Sequence, residues 1–123
     1  MKGIGIDLCE IARIERTLER TEGFLKRCYT QEEQDYIRSR GKAGAQSAAA
    51  MFAAKEAFLK AIGVGIGGGV TLLEVAVAHG ESAGPRYVLA GAAVEKMQKL
   101  GAHTAFLSLS HEAGVAAAVC VIE

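Results

Sequence analysis

Three charged side chains lie close together in a segment that has the composition of a helix. Residues 45–62 are rich in alanine and contain no proline, and they include Lys55, Glu56 and Lys60. Glu56 and Lys60 are four positions apart, so they share one face of such a helix. A carboxylate flanked by two ammonium groups could bind a hard cation and phosphate oxygens. The same spacing also fits an ordinary exposed ion pair, worth about 0.2–0.5 kcal/mol.

A second carboxylate, Asp7, belongs to a short apolar segment at the start of the chain. Residues 2–8 predict a strand with Ile4 and Ile6 on one face, so Asp7 projects from the other face. Two carboxylates, together with water and substrate phosphates, suit Mg²⁺. Asp7 taken alone is explained more simply as a solvated strand end or a salt-bridge partner.

The segment 63–69 must be a loop, because five of its seven residues are glycine. Gly63, Gly65 and Gly68 match the spacing G-x-G-x-x-G, but the dinucleotide-binding fingerprint follows a strand and opens a helix. Here the glycines follow a predicted helix and precede a predicted strand, so we reject that function. A ligand could approach this backbone closely, or the segment could be only a flexible connection.

Hydroxyl and imidazole groups near the C-terminus do not suggest a nucleophile and its base. Ser110 and His111 are neighbours on a predicted strand, so they point to opposite faces. Ser108 lies in no G-x-S-x-G elbow, and no group of histidines and cysteines has zinc-site spacing. His111 could bind phosphate or hold a loop, whereas His79 and His103 are interpreted as turn residues.

The elements that must position these groups follow from periodicity and capping. Apolar residues at helical spacing predict a helix over 10–21, and the box Thr30-Gln31-Glu32-Glu33 predicts another helix from there to about residue 40. The remaining predicted elements are a strand at 73–78, a turn at 80–85, a strand at 87–89, a helix at 92–100, and strands at 104–110 and 115–122 joined by 111–114. The last strand is apolar on both faces, so both should be covered. A second subunit could cover one of them, and so could the chain's own helices.

Composition and charge exclude several classes of protein. The 123 residues suit one domain, and a hydrophobic content of 50% argues against disorder. With 14 basic and 14 acidic residues, the chain lacks the basic excess typical of nucleic-acid binding. It has no apolar run suited to a membrane span or a signal peptide. The three cysteines, Cys9, Cys28 and Cys120, suggest small buried hydrophobes in a reducing compartment. We therefore expect a cytoplasmic protein with no nucleic-acid or membrane partner.

Two segments together resemble a known enzyme family. Residues 3–15, GIGIDLCEIARIE, are similar to the opening motif of the holo-[acyl-carrier-protein] synthases, which are phosphopantetheinyl transferases. Residues 52–63, FAAKEAFLKAIG, are similar to the family's second and most specific motif. Further family features follow in order, namely Gly65-Ile66-Gly67, Gly84-Pro85, Ser108-Leu109-Ser110-His111 and the apolar last strand. Met51 stands where family members commonly have an arginine.

The resemblance implies both a fold and a reaction. The fold is α+β, with a small, mostly antiparallel sheet packed against a long central helix in one domain over residues 1–123. The reaction transfers the 4′-phosphopantetheine group from coenzyme A to a serine of apo acyl carrier protein in fatty acid biosynthesis. The cofactor is Mg²⁺, and adenosine 3′,5′-bisphosphate is released. We also expect a homotrimer with shared active sites, since small family members look like trimers.

The resemblance also assigns roles to individual residues. Asp7 and Glu56 would bind Mg²⁺ with the coenzyme A pyrophosphate, Lys60 would neutralise the transferred phosphate, and either Glu56 or a metal-bound water would deprotonate the serine. The residues expected at coenzyme A are Lys55, Lys60, Gly63, Gly65 and His111. Those expected at the acidic carrier protein are Arg13, Arg16 and Arg20, which share a helix face by their spacing, although nearby glutamates could simply pair with them.

Two other functions are compatible with the same residues. A metal-dependent phosphohydrolase could use the two carboxylates, and a trimeric binding module could retain the fold with a decayed site. The intact set of Asp7, Glu56 and Lys60 argues against decay.

Overall fold

The chain combines helices and antiparallel strands, and the computed structural model describes residues 1–65 and 67–123. Ile66, inside the predicted loop, lies outside the described residues. The elements are strand β1 (Gly3–Glu10), helices α1 (Ile11–Arg20), α2 (Phe24–Cys28), α3 (Gln31–Ser39) and α4 (Gly44–Ala61), strands β2 (Val75–His79) and β3 (Pro85–Leu89), helix α5 (Gly91–Lys99), and strands β4 (Ala105–Glu112) and β5 (Val115–Ile122). Short 3-10 turns at Gly41–Ala43 and Leu72–Glu74 precede α4 and β2. None of the helices in this described part of the chain is long and apolar enough to cross a membrane.

The strands form two antiparallel sheets, and the long helix packs against the larger one. β5 lies between β1 and β4, while β2 pairs with β3. Helix α4 contacts both β1 and β5. Its residues Ala53, Ala57 and Phe58 are fully buried. The predicted α+β arrangement of a small antiparallel sheet against a long central helix is therefore confirmed.

Two glycines let α4 lie directly against β1. A Cβ atom at Gly5 would overlap the carbonyl oxygen of Ala57, and one at Gly3 would overlap that of Ala61. Only a residue without a side chain permits this approach. Because side chains alternate along a strand, Asp7 is on the same side of β1 as these glycines and also faces α4.

The predicted capping box opens α3. Thr30 Oγ1 accepts a hydrogen bond from Glu33 N at 3.2 Å, and Glu33 Oε1 accepts one from Thr30 N at 2.8 Å. A second box, which the sequence analysis missed, spans Thr71 and Glu74 at the 3-10 turn before β2. Glu74 Oε2 also accepts from Ala92 N at 2.7 Å, which ties this turn to the start of α5.

Several local predictions were wrong or incomplete. His79, interpreted as a turn residue, is the last residue of β2, and the strand predicted at 87–89 already begins at Pro85. Helix α2 was missed, because five residues are too few to show a helical period. The predicted strand at 73–78 starts only at Val75, because the 3-10 turn occupies its first residues. The predicted connection 111–114 shrinks to Ala113 and Gly114, whose positive φ values of 51° and 79° suit a tight hairpin turn. β4 therefore extends through His111 to Glu112.

One face of the larger sheet is apolar and exposed. We call it the outer sheet face; it is the side away from α4. β5 buries Ala116, Ala118, Cys120 and Ile122 on the α4 side, whereas Val115, Ala117, Val119 and Val121 remain partly exposed on the other. The same side carries the exposed side chains of Ile4 (59%), Ile6 (61%), Leu8 (64%) and Phe106 (56%). Within the described residues, the chain's own helices therefore cover only one side of the sheet. This excludes the alternative that these helices cover both faces of the last strand.

Candidate active site

Asp7 and Lys60 meet where β1 crosses α4. Lys60 Nζ donates hydrogen bonds to Asp7 Oδ1 at 3.0 Å and to the Ile6 carbonyl oxygen at 2.9 Å. The Asp7 side chain is 18% exposed and that of Lys60 56% exposed, so the pair lies at the protein surface. Lys60 thus forms its ion pair with the distant Asp7, and the simple pairing with Glu56 on the same helix is not what the structure shows.

Glu56 and Asp7 line one cavity of about 510 Å³. Partial burial raises the pKa of Glu56, the negative charge of Asp7 raises that pKa further, and Lys60 opposes the shift. Two carboxylates close enough to influence each other would gain from a shared cation. No group of three or more potential metal-binding side chains occurs in residues 1–65 and 67–123, so the protein would supply two such ligands here.

Helix α1 adds a guanidinium group to the same cavity. Arg13 lines it together with Thr17, Phe52 and the carboxylates. The Arg13 Nη2 atom lies 3.8 Å from Cys9 Sγ. Burial raises the pKa of the Cys9 thiol and the nearby Arg13 opposes this, so Cys9 stays protonated near neutral pH. Helix α1 therefore places a cationic side chain in the cavity that the two carboxylates line.

All three predicted carrier-binding arginines are exposed on α1. Arg16 pairs with Glu10 through Nη2 and Oε1 at 3.5 Å, as the simpler interpretation expected. Both side chains of that pair are more than half exposed, so its contribution to stability is below about 1 kcal/mol. Such a weak pair leaves Arg16 available to another acidic partner.

The structure contradicts the predicted contact between Lys55 and nucleotide phosphates. Lys55 is fully buried, and its ammonium donates to Glu33 Oε1 at 2.8 Å, Leu72 O at 2.8 Å and Val75 O at 3.1 Å. An ammonium has three N–H donors, and all three are used inside the protein. The sequence carried no signal for Glu33 as the partner, because the two residues are 22 positions apart on different helices.

Gly63 and Gly65 begin the segment that follows α4. Gly63 ends the helix with φ +74°, and its N–H donates to Lys60 O at 3.1 Å. Both glycines are exposed, and a Cβ atom at either position would meet open space. The described residues of the predicted loop 63–69 are neither helix nor strand. The backbone next to Lys60 is thus open to a ligand.

His111 lies on the α4 side of the larger sheet, but not beside the carboxylates. It is opposite Ala116 on β5, which in turn is opposite Cys9 on β1. Two strand spacings, about 10 Å, therefore separate His111 from Cys9. Ser108 and Ser110 project from the outer sheet face instead, so Ser110 and His111 do not pair, as predicted from strand alternation.

A second cavity of about 480 Å³ lies between α3 and the β2–β3 pair. There the rings of Tyr36 and His79 stack with centroids 4.0 Å apart. Burial lowers the pKa of His79, and the charge of Arg40 lowers it further, so the imidazole is neutral near pH 7. The lining of this cavity is mostly apolar and aromatic, and it includes one carboxylate, Glu32, instead of the paired carboxylates of the first cavity.

Comparisons with known proteins identify the family of this chain. The family model described as the 4'-phosphopantetheinyl transferase superfamily matches residues 3–120. A holo-[acyl-carrier-protein] synthase of Trichlorobacter lovleyi is 43% identical over 122 residues, covering 98% of this chain and 96% of that protein. One from Treponema denticola is 40% identical over 121 residues, covering 98% and 97%.

Solved structures give the same result. A Helicobacter pylori holo-[acyl-carrier-protein] synthase in complex with coenzyme A has a TM-score of 0.82 at 36% identity, covering 98% of this chain and 99% of that one. A synthase from Neisseria meningitidis has a TM-score of 0.88 at 32% identity, covering 100% and 98%. The chain therefore belongs to the 4'-phosphopantetheinyl transferase superfamily, and within it to the holo-[acyl-carrier-protein] synthases. The family resemblance and the enzyme class predicted from the sequence are confirmed.

Proposed function

We propose that this chain transfers the 4′-phosphopantetheine group from coenzyme A to a serine of apo acyl carrier protein in a Mg²⁺-dependent reaction that releases adenosine 3′,5′-bisphosphate. The observation that carries the proposal is the convergence of Asp7, Glu56 and Lys60, one from the first motif and two from the second, at one surface site. The relatives named above supply the class of reaction.

Asp7 and Glu56 are the proposed Mg²⁺ ligands. Mg²⁺ is commonly bound by one or two carboxylates and completes its shell with water and substrate phosphates. The donor set fits, because both ligands offer carboxylate oxygens and both side chains line the same cavity. When bound, the ion would neutralise charge on the pyrophosphate of coenzyme A.

The protein's own residues do the remaining chemistry. The serine oxygen attacks the β-phosphorus of coenzyme A and forms a new P–O bond. The bond from that phosphorus to the bridging oxygen of the pyrophosphate breaks, and adenosine 3′,5′-bisphosphate leaves with the bridging oxygen. Lys60 stabilises the charge that develops on the transferred phosphoryl group. The serine proton passes to Glu56 or to a water in the cavity.

Coenzyme A is proposed to lie along Lys60, Gly63 and Gly65. The open backbone at the two glycines supports this placement, since no side chain blocks a nucleotide there. His111 is proposed to reach the nucleotide phosphates of a site on a neighbouring subunit. His111 lies two strand spacings, about 10 Å, from Cys9 on β1, and this position at the far edge of the sheet supports a site shared between subunits.

Acyl carrier protein is proposed to bind the exposed face of α1 through Arg13, Arg16 and Arg20. The presence of Arg13 in the cavity with Asp7 and Glu56 supports this face, because the acceptor serine must reach the same cavity. The net charge of the whole chain is zero, so attraction must come from this local patch.

A homotrimer is proposed in which the outer sheet faces meet near the threefold axis. The row formed by Ile4, the partly exposed Val121 and Phe106 across the three strands supports this assembly, because an apolar face of this kind is unusual on a monomer. A cytoplasmic location and a role in fatty acid biosynthesis are part of the same proposal, and the free cysteines support a reducing compartment.

Nucleotide release distinguishes this function from its alternatives. The chain is incubated with coenzyme A and Mg²⁺, with and without apo acyl carrier protein, and adenosine 3′,5′-bisphosphate is measured by chromatography. If the chain is a transferase, adenosine 3′,5′-bisphosphate is released only when apo acyl carrier protein is present. Release without carrier would identify a phosphohydrolase, and no release in either mixture would identify a binding module.

A further inference from the structure

Lys55 is a buried cation with no direct part in the proposed chemistry, although it precedes Glu56 in the second motif. Its ammonium joins three segments, because it binds Glu33 on α3 and the carbonyl oxygens of Leu72 and Val75 at the two ends of the 3-10 turn before β2. Burying a charge is costly unless it is fully paired. A cation in such a place needs a structural explanation.

The two hydrogen bonds to carbonyl oxygens hold the chain just after the predicted loop 63–69, which we call the glycine segment. That segment leaves α4 at Gly63, where the Gly63 and Val64 N–H groups still bond to the helix carbonyls of Lys60 and Leu59. It returns at Thr71, and Leu72 is then held by the side chain of Lys55 on the same helix. Both ends of the segment are therefore attached to α4, one by chain continuity and one by Lys55.

We propose that Lys55 is a positioning residue: by holding Leu72 and Val75 against α4, it keeps Gly63 and Gly65 beside Lys60, where they receive the nucleotide part of coenzyme A. This inference rests on the proposed function, since it assumes that Gly63 and Gly65 contact coenzyme A. The ion pair of Lys55 with Glu33 stabilises the fold, whereas the hydrogen bonds of Lys55 to the two carbonyl oxygens position the segment.

Two substitutions separate these roles. Glu33→Gln removes the counter-charge, but a neutral Lys55 amine still has two N–H donors for the two carbonyls. Lys55→Met removes both carbonyl bonds and keeps a similar volume. Both variants should lose thermal stability. Only Lys55→Met should raise the KM for coenzyme A, by about tenfold, and weaken adenosine 3′,5′-bisphosphate binding measured by calorimetry to the same degree. The kcat of each variant should stay within about threefold of wild type, because Glu56 and Lys60 are intact.

Ile37→Ala provides the matched control for stability. Ile37 is buried and packs beside Gly44 at the opposite end of α4, one helix length or about 27 Å from the glycine segment. It should lower the Tm and leave the KM for coenzyme A unchanged. If Lys55→Met does not fold, the double variant Glu33→Gln/Lys55→Met, which buries no unpaired charge, takes its place with the same expected KM.

The proposal is overturned if Lys55→Met, or the double variant, keeps the wild-type KM and bisphosphate affinity. It is equally overturned if Glu33→Gln raises the KM as much as Lys55→Met, since Lys55 would then act only through the stability of the fold. Failure of the proposed function has a different signature, because the wild-type protein itself would neither bind the bisphosphate nor transfer the group.

Discussion

The ammonium of Lys60 lies 3.0 Å from Asp7 Oδ1, although the two residues are 53 positions apart in the chain. This contact fixes β1 against the C-terminal half of α4 and leaves Glu56 without the lysine that its spacing would have offered. The pKa of Glu56 is accordingly raised by burial and by the charge of Asp7, with Lys60 compensating only in part. One ammonium beside two carboxylates makes a site that favours additional positive charge.

Gly5→Ala should destabilise the fold. The new methyl group would overlap Ala57 O and push β1 away from α4, at a cost of at least about 2 kcal/mol in the free energy of unfolding. Urea unfolding followed by circular dichroism measures the change. Gly84→Ala is the control, because no heavy atom lies near its Cβ position, and it should be close to neutral. Equal stability of the two variants would contradict the close packing described here.

Metal-free protein should show the raised pKa of Glu56 as a pH dependence of stability. The folded protein holds this proton more tightly than the unfolded chain, whose glutamate has a pKa of about 4.3. The stabilising contribution is therefore complete below that value and is lost as the pH rises through the folded pKa. The Tm of wild type relative to Glu56→Gln should therefore fall as the pH rises above about 4.3.

Magnesium should reverse this loss. At neutral pH, Mg²⁺ should raise the Tm of wild type and have little effect on Glu56→Gln, because a ligand that binds only the folded state stabilises it. A Tm difference that does not change with pH, or an equal response of both proteins to Mg²⁺, would argue against a carboxylate pair that binds a cation.

Charges placed on neighbouring residues of β5 should have different effects. Ala118 is buried against α4, so Ala118→Glu should prevent folding. Ala117 is on the outer sheet face, so Ala117→Glu should give a folded monomer, whereas the proposed wild-type assembly is a trimer. Sedimentation equilibrium measures the assembly, and Val94→Glu on the exposed side of α5 is the control. A wild-type protein that stays monomeric at working concentrations would refute the trimer.

Arg13→Glu should weaken recognition of the carrier protein. Reversing an exposed interface charge should raise the KM for acyl carrier protein by about tenfold and change the KM for coenzyme A much less. Added salt should raise the wild-type KM for the carrier, because it screens the attraction. Arg38→Glu on α3 is the control, since its side chain is similarly exposed. An effect on coenzyme A alone, or a carrier KM insensitive to salt, would exclude α1 as the docking face.

Local signals in the sequence predicted most of the fold. β5 was predicted at its observed bounds, Val115–Ile122, because every residue is apolar and a turn precedes it. The α3 capping box was also predicted, since its pattern is contained in four residues. The alternation of β1 placed Asp7 opposite Ile4 and Ile6, which is the side that faces α4.

The placement of Lys55 could not be predicted in this way. Its burial depends on Glu33, 22 positions away, and on carbonyl groups that carry no sequence signature. Asp7 was foreseen as a salt-bridge partner, but the identity of Lys60 as that partner depends on how β1 crosses α4. Contacts that depend on how separate helices and strands pack together could therefore not be predicted from spacing along one element.

Intact-mass analysis of acyl carrier protein is the most direct test of the proposed transfer of phosphopantetheine. Apo acyl carrier protein is incubated with this chain, coenzyme A and Mg²⁺, and the wild-type enzyme should add the mass of one phosphopantetheine group to the carrier. Asp7→Ala and Glu56→Ala should slow this conversion by about 100-fold or more with the circular dichroism spectrum unchanged, while Asp35→Ala, an exposed carboxylate on α3, should convert at the wild-type rate. An unmodified carrier with the wild-type enzyme, or near-wild-type conversion by both Asp7→Ala and Glu56→Ala, would contradict the account.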